Sequence, residues 1–398
     1  TDPMEAAGLN LNAFSLTLGS DTTDLTINSP LELNSAASKL ITQDADLVLQ
    51  DSLQLNAGEI TSTAGTFTFT KGGTLGSSGI LDVSGTTLKL GDNLSAENGT
   101  LTSNPSDSTN SELLSTTTVL HLLDNVTLTF NGVNHFKALE HNGNTLTLDG
   151  ATTKLTLVDP LTLNAGTLHT QDASLYLHGA LTLQNNSLID STGGTLALYR
   201  HISYGDLSTV DNSSELTLPG TTFTMRGDVA ITGTLSTGTG TVISPAGGII
   251  DLSGGLLKLG GDLNLGGTVT DNDTRLILQA DATLENYHHY GPQVATGIGS
   301  LDLNGSALTI SMPLIVNDTL TLDAAGEQLL TGSSDLTLND SLVISDGTLA
   351  STSGTLSFNS TVSLGADGTI DIQGGELQIC LLYTSDAADE GLGVDLGG

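Results

Sequence analysis

The side chains best suited to chemistry in this 398-residue chain gather in two short stretches. In "SLYLHG" (174–179) Leu175 and Leu177 alternate with Tyr176 and His178. One repeat later comes "YRHISY" (199–204), which sets Tyr199 beside His178 with His201 next to it. On a strand whose leucines point inward, Tyr176, His178, Tyr199 and His201 form an outward cluster, while Tyr204 falls where Leu183 sits one coil earlier. Rings on a flat sheet stack on sugar faces and imidazoles hydrogen-bond hydroxyls, which suits contact with a glycan or a host surface protein. The same rings also stabilise a sheet simply by stacking across strands. The second stretch is "ENYHHYGPQVATGIGS" (285–300), with Tyr287, His288, His289 and Tyr290 on a loop where recognition tends to concentrate. Two adjacent histidines without a third or fourth ligand are a poor metal site, so no metal is assigned.

Other chemistry finds little support. No Gly-rich phosphate loop, HExxH, GxSxG or cysteine-based zinc spacing occurs. Acidic residues such as Asp44, Asp46, Asp51, Asp172, Asp190, Asp335, Asp340 and Asp346 are spread over turns. Asp346 and Asp367, one repeat apart, would stand roughly 5 Å from each other. That spacing suits a carboxylate pair, and equally any repeat with an acidic turn. The expectation is no catalytic residue, no cofactor and no enzyme activity.

Those residues must be positioned by a repeat. "KLTLVDPLTLNAGTLHTQDA" (154–173) aligns with "SLYLHGALTLQNNSLIDSTG" (174–193) and "TLALYRHISYGDLSTVDNSS" (195–214). The first apolar pair steps from Leu155/Leu157 to Leu175/Leu177, Leu196/Leu198 and Leu216/Leu218; the second steps from Leu161/Leu163 to Leu181/Leu183, and Leu168 becomes Leu188. Apolar residues at i and i+2 share one face of a strand, and Thr commonly stands between them. One short module cannot bury such a face alone, whereas stacked modules can. The fold expected is all-β, a parallel β-helix (β-solenoid) with about 20 residues per coil. An antiparallel sandwich also uses short alternating strands, but it does not explain a repeat in register. Residues 1–379 read as one solenoid, interrupted by loop excursions near 103–117 and 285–300.

Composition agrees. The chain has 48 Gly, no Trp, 3% aromatics and 13% charged residues, the vocabulary of short strands and tight turns. With 9 basic against 44 acidic residues the net charge is −35. Phosphate neutralisation needs clustered Lys and Arg, so no nucleic-acid partner is expected. No apolar stretch is long enough to span a bilayer, so no membrane insertion is expected in this segment.

From Cys380 the alternation changes. "CLLYTSDAADE" (380–390), and again Gly393-Val394-Asp395-Leu396-Gly397-Gly398, resemble an in-frame translation of a sequencing-library adapter. The resemblance implies that 380–398 is a non-native, disordered read-through and that 1–379 belong to a longer protein. Modules such as "LTLNAGTLHT" and "LKLGGDLNLGGTVT" resemble the repeats of bacterial β-helical exoproteins, of the filamentous-haemagglutinin-like adhesin and autotransporter-passenger types. That resemblance implies a secreted or cell-surface location and an adhesive, structural role. A carbohydrate-active β-helix enzyme and a phage fibre shaft are the alternatives. Two bare strand edges at the ends of such a rod predict end-to-end self-association.

Overall fold

The computed structural model describes residues 4–19, 24–96, 98–103, 117–198, 208–210, 215–218, 222–225, 229–237, 242–243, 249–252, 254–264, 268–270, 273–285 and 296–380. These form an all-β solenoid of parallel strands with no helix. Its longest unbroken sheet path passes through about 14 turns, at roughly 21 residues per turn. Three faces succeed one another along each coil, as in Leu161–Asn164, Thr167–His169 and Ser174–Leu177. Near both ends the second and third faces fuse into one long bent strand, as in Leu31–Gln43, Leu53–Ser62 and Gly73–Asp82 early on, and Leu342–Ser351 and Val362–Ile372 late.

Parallel pairing one coil apart places like residue over like. Leu155 lies beneath Leu175 and Leu196, and Leu157 beneath Leu177 and Leu198. On the next face Leu161 and Leu163 lie beneath Leu181 and Leu183. All these leucines are buried, and one apolar cluster runs without a break from Leu11 to Phe358. Each buried Leu contributes about 1.5–3 kcal/mol, so the spine outweighs any other single term in holding the coils. Side-chain volume is balanced inside it. The column Leu31, Leu53, Gly73, Leu94 carries a glycine at its third rung. A Cβ there would stand 2.9 Å from Leu94 Cδ1 and 3.6 Å from Phe69 Cε1. The ring of Phe69, packed 4.6 Å from that of Phe67, fills the space a leucine would take.

The acidic turns are stitches between coils. The Asp24 carboxylate accepts the Asp46 amide, and Asp46 accepts the Thr66 amide at 2.7 Å. Asn125 accepts from Thr145, Asp262 from Thr283, Asp281 from Ala307 and Asp335 from Thr355. Each bond satisfies an amide at or just before the start of a strand one coil further on. Amide side chains stack likewise: Asn339 donates to Asn317 at 2.7 Å, and Asn359 to Asn339 at 2.9 Å. Phe358 pairs with Ile379, so the place above Asn359 belongs to Cys380, where the ladder of amides stops. Glu327, only 4% exposed, accepts the amides of Asp323, Ala324 and Gly305 and ties two corner turns together.

The register corrects the expected alignment at two places. Leu196 and Leu198 pair with Phe223 and Met225, not with Leu216 and Leu218. Leu168 pairs with Ile189 rather than Leu188, and Ile189 in turn pairs with Leu216. The position opposite Leu183 is Val210, not Tyr204. The coil after Leu198 therefore holds several extra residues. Ile202 and Tyr204 alternate as a strand would, which disguised the insertion. The interval between paired Leu276 and Leu301 contains the segment 285–300. The feet of the 103–117 excursion are joined, since Thr118 Oγ1 donates to Ser103 O at 2.6 Å. Residues 104–116, 286–295 and 381–398 lie outside the described residues.

Two outcomes follow. Leu175→Ala should cost about 2–5 kcal/mol, read by urea unfolding, because its column cannot collapse between fixed rungs. Asp46→Ala should speed hydrogen exchange of the Thr66 amide by roughly ten- to hundred-fold, the loss of about 1.5–3 kcal/mol for a bond to a charged acceptor. Asp44→Ala, at an exposed neighbouring position, should leave that amide unchanged.

Candidate functional site

Of the eight ring-bearing residues singled out in the sequence, Tyr176 and His178 lie among the described residues. Tyr199, His201, Tyr287, His288, His289 and Tyr290 lie outside them. Tyr176 points outward from Ser174–Leu177 and is half-buried. Its column on the outer face runs His135, Thr156, Tyr176, Ala197. Thr156 and Ala197 also face outward yet are 3% and 2% exposed, so the larger side chains of this column cover the smaller ones between them. Tyr176 thus stands half-buried on a filled outer face. His178 begins the corner after it, its amide bonded to Leu157 O at 2.9 Å.

The structure adds a group that spacing did not single out. His169 and Asp190 are register partners on the second face, and His169 Nδ1 lies 3.2 Å from Asp190 Oδ2. With Gln171, Asp172 and Thr192 they line an open cleft of about 450 Å³ at the corner leading to the Tyr176 strand. Next in sequence to its lining residues, Thr170 and Ser191 are fully buried, Thr170 donating to Ser191 at 2.6 Å. Gly193 lets the cleft form, because a Cβ there would come within 2.7 Å of Asp172 Oδ1. Tyr176 follows Asp172 by four residues and lies on the face after the turn, so cleft and tyrosine flank one corner of the rod. Asp172 and Asp190 were visible in the sequence only as turn acids; their meeting with His169 depends on register.

Other polar groups are occupied structurally. His121 Nδ1 donates to Glu140 Oε2 at 2.7 Å, and Asn142 Nδ2 donates to His121 Nε2 at 2.9 Å, so both ring nitrogens are used. Lys89 stands one rung below in the same column. His141 is 7% exposed. Its Nδ1 accepts the Gly143 amide at 3.0 Å and its Nε2 donates to Thr162 O at 3.1 Å. The Asn164 amide also lies 3.2 Å from Nε2, but a nitrogen that donates to Thr162 cannot accept from Asn164. Burial holds the His141 pKa below its ordinary value against the raising effect of Thr162 O, and burial likewise lowers that of His135. Lys39, bonded to Glu59 at 2.6 Å, holds that carboxyl below its usual range. Asp346 and Asp367 are register partners as expected, and Asp346 accepts the Gly347 amide at 2.8 Å. Among the described residues no group of three or more His, Cys, Asp or Glu could hold a metal ion.

Neither family models, nor curated proteins, nor solved structures match this chain. Function must be argued from the surface itself. That surface combines a polar cleft able to hydrogen-bond hydroxyls through Asp172, Asp190, His169, Gln171 and Thr192 with the half-buried Tyr176 across the corner.

His141 generates a pH prediction. Its folded pKa lies below the ordinary 6.5, so the unfolded chain binds the proton first. Stability contributed by the neutral ring is present above about pH 6.5 and declines as pH falls through that value. Urea midpoints measured between about pH 7 and pH 5.5 should therefore decrease, and His141→Gln should flatten the slope.

Proposed function

We propose that this chain is a structural and adhesive segment of a secreted or cell-surface bacterial exoprotein of the β-helical adhesin type. It acts as a stiff acidic rod that offers weak contacts to glycans or host surface proteins. The observation that carries this reading is the single unbroken apolar spine, which makes every coil a rigid spacer for the next. Support for contact comes from the corner cleft at His169, Asp172 and Asp190 beside Tyr176. A neutral sugar ring suits it: hydroxyls meet carboxylates and imidazole, and a pyranose face meets the tyrosine. The acidic surface disfavours polyanionic ligands and keeps rods apart in dilute solution. The read-through origin proposed for 380–398 is supported by the amide ladder of Asn317, Asn339 and Asn359, which ends at Cys380.

One observation favours a second reading, a carbohydrate-active enzyme. Two carboxylates and a histidine in one cleft are the kinds of group that general acid–base hydrolysis or lyase chemistry uses.

Glycan-array and cell-adhesion measurements on the full chain separate the two. Weak binding should appear, fall about two- to ten-fold in Tyr176→Ala, and fall further in Asp172→Asn/Asp190→Asn. Complete absence of binding in all conditions would remove the contact role and leave only the spacer. New reducing ends or unsaturated products from polysaccharide, lost in Asp190→Asn, would establish the enzyme instead.

A further inference from the structure

One level inside the rod is joined differently from those around it. On the first face, Ala138–Glu140 pairs only with Val119–Leu122 beneath it, and Leu161–Asn164, its successor one coil on, pairs only with Leu181–Gln184 above. Among the described residues no ladder spans the gap between these two strands. On the third face Thr100–Thr102 pairs only downward and Gly132–Phe136 only upward, and Ser103 Oγ, donating to His135 O at 2.8 Å, joins them. The second face alone crosses this level as a continuous described ladder, through Leu94–Ala96, Val126–Phe130, Thr145–Asp149 and Thr167–His169. The spine also turns polar here. The column that carries Leu155, Leu175 and Leu196 upward starts on the buried Asn134.

His141 fills the first-face gap. Its Nε2 donates to Thr162 O at 3.1 Å, its Nδ1 accepts the Gly143 amide at 3.0 Å, and the Asn164 amide lies 3.2 Å from Nε2. The socket leaves no spare room, since a Cβ on Gly166 would collide with the imidazole. The turns that flank it hold Asn142, Gly143 and Ala165 at positive φ, which side chains rarely adopt. Two amide donors and one carbonyl suit a neutral ring. An imidazolium carries N–H on both nitrogens, so Gly143 would face a donor in place of an acceptor. Charged groups on the surrounding elements do not offset that change. Glu140 is bonded to His121 at 2.7 Å, and Asp124, Lys137 and Asp159 stand at the adjoining corners. Burial and Thr162 O are what act on the protonation of His141, and burial prevails.

We infer that this level is a hinge built into the rod, latched by His141 and released when its ring is protonated, with the second face as the pivot. Release is distinct from unfolding: the first-face gap opens while the coils above and below keep their ladders. A local opening of this kind needs a place where few main-chain bonds cross, and the interrupted first and third faces supply it. The open state takes up the proton more readily than the closed one. Opening therefore grows as pH falls through about 6.5, by about ten-fold per pH unit at most. The hinge requires no ligand, so it stands or falls separately from the adhesive reading.

The experiment is amide hydrogen exchange on the full 398-residue chain, read residue by residue at about pH 7.5 and about pH 5.5 in water and in low urea. Protection factors remove the intrinsic pH dependence of exchange. The Gly143 amide should lose about ten-fold in protection between the two conditions, with little dependence on urea, the mark of a local opening. The amides of Thr70 below and Leu314 above, bonded to Leu49 O and Asp335 O, should exchange with a steep urea dependence. His121→Gln should keep the effect at Gly143, and His141→Gln should abolish it. Should His141→Gln fail to fold, Gly166→Ala, which displaces the ring, should leave Gly143 open at both pH values while Thr70 and Leu314 stay protected. A Gly143 amide that shares the urea dependence of Thr70 and Leu314 overturns the inference, because the rod then opens only by unfolding. So does wild-type protection that ignores pH, a Gly166→Ala chain whose Gly143 stays protected, or an effect lost in His121→Gln, which would place the switch on the His121–Glu140 pair.

Discussion

Parallel stacking in register is the constraint on which the rest of this molecule depends. A coil that pairs with the coil below along its whole length must repeat the same inward and outward choices, because a slip of one residue exchanges the two faces. Leucine meets leucine for that reason, and where volume must change the change is compensated next door, as Phe69 does for Gly73. The core is consequently narrow and long. Each rung contacts only its neighbours, so stability is additive along the rod rather than pooled in one globule.

The same stacking explains the charge. An Asp or Asn at a turn sits within reach of an amide at the start of a strand one coil further on, and Asp24, Asp46, Asp262, Asp281 and Asp335 all use it. A carboxylate bonded in this way is a structural device that also leaves negative charge at the corners. The net of −35 thus accompanies the way the turns are closed, and much of it requires no anion-repelling or cation-binding role. Buried polar groups follow the same economy: Glu327 and His141 each bridge main-chain groups of more than one turn.

Functional surface arises where the regular coil is interrupted or turns a corner. Flat faces offer isolated side chains in columns, such as Tyr176 above Thr156. Concavity needs a turn that departs from the face, and the positive-φ turn at Gln171 with the bare Gly193 above Asp172 supplies one. His169 and Asp190, ordinary in sequence, become one wall of a cleft because the coil height brings them to hydrogen-bonding distance.

The amino-acid sequence alone determined the fold class, the coil length and most of the columns, since alternation at i and i+2 repeated at constant spacing leaves few other ways to bury leucine. Leu155, Leu175 and Leu196, or Leu157, Leu177 and Leu198, could be stacked without coordinates. It misplaced Leu216, Leu218 and Tyr204, because an insertion that itself alternates is indistinguishable by pattern from a strand in the column. Only the tertiary structure decided the register across that coil, the joining of Asp172, Asp190 and His169 in one cleft, and the bonding of turn carboxylates to amides a full coil away. Each depends on which residues lie vertically adjacent, a relation spanning one whole turn and therefore sensitive to every residue inserted within it.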